Sequence, residues 1–220
     1  MNKIWVSWSS GKDSAYALYQ LLKDKRFSIS GLLTTITKDF ARISMHSTRK
    51  KLLEIQASRL NLPLKIIEIP KNCSNQIYEK KMLSVVLQAE SDNVKYIAFG
   101  DLFLESVKQY RENQLRNSRI KPIFPLWHKN TEQLAQVFFD KGFRAIVISI
   151  DKTKVPLNLL GHEYDMNFLN QLPCDVDSCG ENGEFHTFVY DAPMFNRPID
   201  FYLGEVVEKE NFIYLDILPK

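Results

Sequence analysis

The sequence predicts an α/β fold: a five-stranded parallel sheet covered by helices on both faces, followed by a smaller mixed C-terminal lobe. Three observations carry this. Short, continuous apolar runs alternate with amphipathic stretches as far as Asp151, the pattern of a parallel sheet buried on both sides. The first apolar run passes directly through a Ser/Gly turn into a helical face. Beyond about residue 156 the alternation gives way to Pro173, Gly180, Gly183, Pro193 and Pro198.

Taken in order, Ile4 to Val6 is the first strand, and Ala15, Ala17, Leu18, Leu21 and Leu22 share the face of the helix after it. Ile29 to Ile36, β-branched and apolar, is the second strand. Leu53, Ala57 and Leu60 recur at helical spacing up to Pro63. Leu64 to Ile69 is the third strand, closed by Pro70. Met82, Val85, Val86 and Ala89 form another helical face, and Tyr96 to Phe99 is the fourth strand, ending at Gly100-Asp101. Leu134, Val137 and Phe138 mark a helix that Gly142 closes. Ala145 to Ile150 is expected as the fifth parallel strand. The first strand should lie in the middle of the sheet. The loops after strands one, two, four and five should line its carboxyl edge, where open α/β sheets bind ligands. Phe201 to Val207 and Phe212 to Leu218 look like antiparallel strands around Lys209-Glu210-Asn211. This gives two units, residues 1–155 and 156–220.

A chain of 220 residues with 45% hydrophobic and 25% charged content is ordinary for a globular protein with a full core. No apolar run approaches the ~20 residues that span a bilayer, and the N-terminus lacks a signal-peptide pattern. Three cysteines do not make a disulfide scaffold, so a reducing cytoplasm and no membrane partner are expected. The net charge of +3 is too small to imply nucleic acid. Its distribution is uneven. Lys108 to Lys129 holds six bases against Glu112, and Asp175 to Glu210 holds nine acids against Arg197 and Lys209. Two such stretches suit a cleft with one basic and one acidic wall; two solvated faces of opposite sign are the alternative.

Trp8 to Leu18, WSSGKDSAYAL, is the stretch around which the rest is arranged. Ser9, Ser10, Gly11, Lys12, Asp13 and Ser14 form a strand-to-helix turn. The helix N-terminus offers unpaired amides and partial positive charge, Lys12 adds a full charge, and the serines add hydroxyls: a site for phosphate. It is not a Walker A loop, which needs a second glycine before the lysine. A second stretch, Cys179 to Thr187, packs Glu181, Asn182, Glu184, His186 and Thr187 around Gly183. If it is extended from Glu184, side-chain alternation points Glu184 and His186 the same way, a carboxylate beside an imidazole. Cys174, Cys179 and His186 lack a fourth partner and the usual spacing for zinc. His128 and His162 are taken as surface or packing residues.

The loop resembles the Ser-Gly-Gly-x-Asp-Ser signature of the ATP-pyrophosphatase (PP-loop) enzymes, with Ser10 in place of the first glycine. More widely, the chain resembles the diphthine–ammonia ligase family of PP-loop proteins through WSSGKDSAYAL (8–18), MHSTRKKLLEIQASRLNLPL (45–64), FGDLFLESVKQYRE (99–112), FPLWHKNTEQLA (124–135) and CGENGEFHTFVYDAPMF (179–195). WSSGKDS and FGDLFLE look more like its bacterial branch, whereas diphthamide belongs to the archaeal and eukaryotic elongation factor. The resemblance implies a Rossmann-like, adenine nucleotide alpha hydrolase-like fold with ATP and Mg2+ as cofactors. It implies an AMP-forming ligase that adenylates a carboxylate acceptor and couples it to ammonia or an amine. Ser9 to Ser14 and Gly100 would hold the nucleotide's phosphates, and Thr34 and Thr35 would lie near adenine. Asp13 and Asp101 would hold magnesium. Lys12, Asp101, Glu181, Asn182, Glu184 and His186 would carry the chemistry, with His46, Glu105, Tyr110, Arg111, Gly183 and Thr187 on the substrate side. Arg116 and Arg119 are phosphate-reaching or solvated. A homodimer is allowed for. Two other readings stay open: a PP-loop enzyme thiolating transfer RNA, which wants a reactive cysteine pair and a broad basic surface, and a non-catalytic ATP-binding regulator.

Overall fold

The computed structural model describes residues 1–40, 42–43, 48–71 and 73–220. In chain order it holds β1 (Asn2–Ser7), α1 (Lys12–Lys23), β2 (Phe27–Thr37), β3 (Arg42–Ile43), α2 (Lys50–Leu60), β4 (Leu64–Ile69), α3 (Asn75–Ser91), β5 (Val94–Ala98), α4 (Glu105–Leu115) and β6 (Lys121–Ile123). Then follow α5 (Thr131–Asp140), β7 (Arg144–Asp151), α6 (Met166–Leu169), β8 (Phe185–Asp191), β9 (Phe201–Lys209) and β10 (Phe212–Pro219).

The first sheet carries five parallel strands in the order β4-β2-β1-β5-β6, with the short β3 antiparallel on β2. The N-terminal strand is in the middle, as its sequence predicts. Ile4, Trp5 and Val6 are all buried, and the alternation of side chains sorts them: Ile4 and Val6 join one core, Trp5 the other. Leu32 and Leu33, and Ala98 and Ile97, divide the same way. A continuous apolar strand is thus the sequence of a strand with a core on each face. Among the described residues, no helix is long and apolar enough to cross a membrane.

The fifth parallel strand is β6, not Ala145 to Ile150. That apolar run is β7, which leads a second, antiparallel sheet in the order β8-β7-β10-β9. β7 is buried from Ala145 to Ile150 and sits between two partners. An inner strand of an antiparallel sheet covered on both faces reads like a parallel one, so periodicity alone does not say which sheet receives it. β6 escaped notice because it has three residues, one of them Pro122. Proline is tolerated there because β6 is an edge strand, with one side needing no donor. The predicted β9–β10 hairpin is present, with Phe212 opposite Lys209.

Two side-chain devices bind the sheets together. On β10, Asp216 accepts from Arg42 Nη1 at 2.7 Å and from Arg49 Nε and Nη2 at 3.0 and 2.5 Å. At the centre, the fully buried Gln56 of α2 accepts from Trp8 Nε1 at 2.8 Å and donates to the carbonyls of Ser10 at 3.1 Å and Val189 at 2.7 Å. One amide thereby joins the end of β1, the following loop and β8. Replacing it with leucine keeps the volume but strands these partners in a site without water, at ~1–3 kcal/mol for each group left unpaired. Gln56→Leu should lower unfolding stability by about 2–4 kcal/mol in urea titration; a loss under about 0.5 kcal/mol would show that water or repacking replaces the amide.

Candidate active site

The turn between β1 and α1 is built on a strained residue. Ser10 has φ 71°, the left-handed region in which a side chain costs about 1–2 kcal/mol. The departure from glycine at this position therefore does not change the backbone path. Its surroundings hold it there. The Ser10 carbonyl accepts from Gln56 Nε2 and from the Val189 amide at 3.0 Å, and its hydroxyl shares a 2.8 Å hydrogen bond with Thr48. Gly11 is extended, so its value lies in space rather than dihedral freedom. A Cβ there would stand 3.1 Å from the Thr187 carbonyl of β8. The Lys12 amide, one of the first donors of α1, is taken by Thr187 Oγ1 at 3.1 Å. Ser14 Oγ donates to the Gly11 carbonyl at 2.9 Å and lies 3.1 Å from Ser9 Oγ.

Opposite, β5 ends against the first turn of α1. A Cβ on Gly100 would fall 2.9–3.1 Å from the backbone of Asp13 and Ser14, so only glycine allows that approach. Between these segments and β8 lies a cavity of about 220 Å³. Lys12, Asp13, Asp101, Arg111, Glu181 and His186 supply its charge and titratable groups. The Lys12 ammonium is buried. It donates to both Asp13 oxygens, at 2.9 and 2.8 Å, and to the Cys179 carbonyl, with the Tyr164 and Phe185 rings 5.6 and 5.5 Å away. Burial alone would lower its pKa, but Asp13 and the other groups around it outweigh that, and Lys12 stays charged.

Glu181 reaches across the cavity, its Oε1 accepting from the Leu102 amide at 2.7 Å. Burial pushes its pKa up to about 7, against the Leu102 hydrogen bond and with the help of Asp13 and Asp101. Burial also raises Asp101, although Arg111 Nε lies 3.5 Å away and opposes it. Arg111 itself lies over Phe99, 5.0 Å from the ring centre. His186 is lowered to about 4 by burial and by Lys12, so its imidazole is neutral at pH 7.

The structure brings most of the predicted residues together. Ser9, Gly11, Lys12, Asp13, Ser14, Gly100, Asp101, Arg111, Glu181, His186 and Thr187 all line this cavity, and buried Ser10 lies beneath it. Thr34 and Thr35 line an adjoining space of about 330 Å³, which shares Ser7, Ser9, Phe99 and Arg111 with the first. The remaining predicted residues are not in the wall. Glu184 does not accompany His186: it is buried, its Oε1 accepting from the Asp177 amide at 3.3 Å and from exposed Asn182 at 2.9 Å. Asp177 in turn accepts from the amides of Cys179 and Glu181, at 3.0 and 3.1 Å. Glu184 and Asn182 thus shape the turn that presents Glu181. Gly183 makes that turn at φ 81°. Glu105 and Tyr110 are exposed on α4 and absent from the wall. His46 lies outside the described residues.

No group of three His, Cys, Asp or Glu side chains suited to a metal occurs among the described residues, so Asp13 and Asp101 do not by themselves form a metal centre. They do fit a magnesium ion that takes most of its ligands from phosphate and water. Among the described residues the buried Asp101 Oδ2 has no hydrogen bond, only the Arg111 Nε 3.5 Å away, and so keeps capacity to accept. Zinc has no support: Cys174 is exposed, while the Cys179 thiol donates to the Thr131 carbonyl at 3.4 Å. The sequence reading missed Gln56, Asp177 and Phe99. Each sits inside or beside a recognised segment, and none has a residue type that signals its role.

Two predictions follow from these environments. In thermal melts, Ser10→Gly should stay close to the parent, because relief of strain offsets the lost Thr48 hydrogen bond. Ser10→Ala should lose about 1 kcal/mol, and Ser10→Val more, since a β-branched side chain resists positive φ. A valine variant as stable as the parent would contradict the strain. Glu181 has a folded pKa of about 7 against an ordinary 4.5. Its proton is held more tightly in the folded state, so it favours folding at low pH and that advantage fades as pH rises from 4.5 to 7. His186, at about 4 against 6.5, works in the opposite sense, adding stability as pH rises through the same window. Glu181→Gln should therefore match the parent near pH 4.5 and exceed it above pH 7, by about 1–2 kcal/mol after allowing for solvent screening. Urea unfolding at both pH values tests this; a difference that does not vary with pH would remove Glu181 as its source.

Comparison with known proteins places this chain in a family. A model described as the diphthamide synthase N-terminal domain matches residues 2–122, and one described as the diphthamide synthase C-terminal domain matches residues 130–217. The diphthine–ammonia ligase of Bos taurus is 30% identical over 126 residues, 55% of this chain and 47% of that protein. That of Homo sapiens is 26% identical over 145 residues, 64% of this chain and 54% of that protein. The chain spans about half the length of these curated relatives. Among solved structures, the U34-tRNA thiolase NcsA of Methanococcus maripaludis aligns with a TM-score of 0.41 and 15% identity, over 63% of this chain and 56% of that one, too remote to bear on function. Matched in order by both domain models, the chain belongs to the diphthamide synthase family.

Proposed function

We propose that the chain is an ATP-dependent, AMP-forming ligase that joins a carboxylate acceptor, diphthine-like or a small-molecule acid, to ammonia or an amine. The observation that carries this is the meeting of the two motif stretches at one cavity, where Glu181, its Oε1 on the Leu102 amide at 2.7 Å, lines the wall with Lys12, Asp13 and Asp101. Burial raises its carboxyl to about 7, which suits it to take the proton that neutral ammonia or an amine sheds as it attacks. ATP would supply an adenylyl group to the acceptor carboxylate, the new O–P bond forming as the bond to the departing pyrophosphate breaks, and with magnesium it would be held by Ser9 to Ser14, Asp13 and Asp101.

Each residue then has a task. The first turn of α1 presents amides and partial positive charge to departing phosphate, fixed in place before reaction. Lys12 adds charge from the wall and ties the loop to the Cys179 carbonyl, so it aligns the two stretches as well as attracting phosphate. Arg111, lying over Phe99, stands where the two cavities meet and can pair with phosphate as it now pairs with Asp101. Neutral His186 donates or accepts a hydrogen bond without adding charge. Thr34 and Thr35 border the space left for adenine. Glu184 and Asn182 act through the turn. Glu105, Tyr110 and Gly183 have no direct part.

The tRNA-thiolation reading needs a reactive cysteine. Burial pushes the Cys179 thiol up to about 12, and Cys174 lies outside the cavity wall, so neither is poised as a thiolate nucleophile. The regulator reading is separated by turnover. With an acid acceptor, ammonia and ATP, the parent should release AMP and pyrophosphate in equal amounts. Glu181→Gln should lower that rate by about 10²-fold with ATP affinity changed less than about threefold, and should abolish the rise of kcat/KM with pH near 7. Tight ATP binding without AMP release, across a broad panel of acids, would sink the ligase reading.

A further inference from the structure

The space of about 330 Å³ that holds Thr34 and Thr35 opens in two directions. Through Ser7, Ser9, Phe99 and Arg111 it joins the cavity of the phosphate turn. Through Ile43 and Ile69 it adjoins a third and larger cavity, of about 750 Å³, between the first sheet and the β9–β10 hairpin. A nucleotide whose phosphates lie at Ser9 to Ser14 keeps its ribose near the wall shared with the first cavity and turns its base to the remainder. Leu33, Ile67, Met82, Ile97 and Leu115 make that remainder mostly apolar, as suits a flat ring.

An apolar wall holds any purine alike. Choosing among purines takes a polar group whose direction is fixed. Outside the shared wall the polar side chains are Thr34, Thr35, Tyr78 and Gln114, with Trp8, whose indole N–H is already given to Gln56. A hydroxyl both donates and accepts, so three of these cannot tell an amine from a carbonyl. An amide can, provided that something keeps it from turning over.

Gln114 is held in this way. It is half-buried on α4, and its Nε2 donates to the Tyr110 hydroxyl, four residues back, at 2.8 Å. An amide nitrogen only donates, so the Tyr110 oxygen accepts and its own proton is directed elsewhere. Tyr78 is there to take it: burial, and then the hydrogen bond with Tyr78, raise the Tyr110 phenol above its usual value. A turned amide would need that proton for its Oε1. The Oε1 and the second Nε2 hydrogen are left side by side, and among the described residues neither has a partner. An acceptor beside a donor matches adenine, whose exocyclic amine donates while the ring nitrogen near it accepts. In hypoxanthine or guanine a carbonyl replaces the amine, and two acceptors would meet.

We propose that Gln114 selects the base, its Oε1 accepting from the exocyclic amine of adenine, and that Tyr110 is a positioning residue that fixes the direction of the amide. The selection rests on the nucleotide placement in the ligase reading, but binding alone tests it.

ATP, inosine triphosphate and purine riboside triphosphate, which has neither amine nor carbonyl at that carbon, are titrated calorimetrically with magnesium. The full chain is used as parent, Gln114→Leu and Tyr110→Phe, each with its melting temperature. The parent should bind ATP about tenfold more tightly than inosine triphosphate, with purine riboside triphosphate between them. Gln114→Leu should bring all three within about twofold, chiefly by weakening ATP. Tyr110→Phe keeps Gln114 but frees the amide to turn, so the preference should fall to about threefold. Equal affinities in the parent, or a preference that survives Gln114→Leu, would overturn the selection; a pair that served only the helix would give that second result. An unchanged preference in Tyr110→Phe would remove the positioning role. No binding of any of the three would remove the selection and the nucleotide reading together. Preference that depends on Gln114, without AMP release from any acid, removes the ligase and keeps the selection. Turnover of an acid with equal kcat/KM for ATP and inosine triphosphate does the reverse.

Discussion

The amide of Gln56 is the constraint on which the rest of the site depends. It has one acceptor and two donor bonds in use, all to partners far away in sequence, and none of them is exposed. Through it the Ser10 carbonyl is fixed between α2 and β8, and a residue that would relax out of positive φ is kept there. The strain at Ser10 is local; the bonds that sustain it come from both sheets. The turn is therefore held by bonds that reach the second sheet, which couples the shape of the loop to the lobe that carries Glu181 and His186.

The same coupling explains why Lys12 is buried. A lysine in a phosphate loop is expected to extend toward the ligand, yet this one turns to Asp13 and to the Cys179 carbonyl. Desolvating an ammonium is costly unless it is paired and bonded, and here three acceptors and two aromatic faces offset that cost. What results is a positive charge fixed in the cavity wall rather than a mobile one. Such a charge attracts an anion without reorganising as charge develops. Burial, with Lys12 adding to it, leaves His186 neutral, and burial, helped by Asp13 and Asp101, raises Glu181 to about 7 in spite of Lys12.

The parallel sheet and the loop were legible because both are local. Ile4 to Val6 and Tyr96 to Phe99 announce buried strands by their own composition, and Ser9 to Ser14 by its place between strand and helix. The destination of Ala145 to Ile150 was not legible, since pairing is a long-range property and the run looks alike in either sheet. Alternation put Glu184 beside His186 on paper, but the strand begins only at Phe185 and Glu184 still belongs to the turn. Gln56 and Asp216 lie within ordinary amphipathic stretches. Their roles come from partners 46 to 174 residues away, which no sequence window contains.

The three cavities share walls in sequence, from Glu181 through Arg111 and Ser9 to Thr34, then through Ile43 and Ile69 to Arg42. These adjoining spaces differ in charge: the first mixes the carboxylates Asp13, Asp101 and Glu181 with the cations Lys12 and Arg111, the second is mostly apolar, and the third sets side chains of both signs beside apolar surface. The first and third spaces take residues from both sheets, whereas the second is walled by the first sheet and its helices alone. A shift of one sheet against the other would therefore alter the outer two spaces and spare the middle one, and Gln56 and Asp216 are among the side chains that resist such a shift.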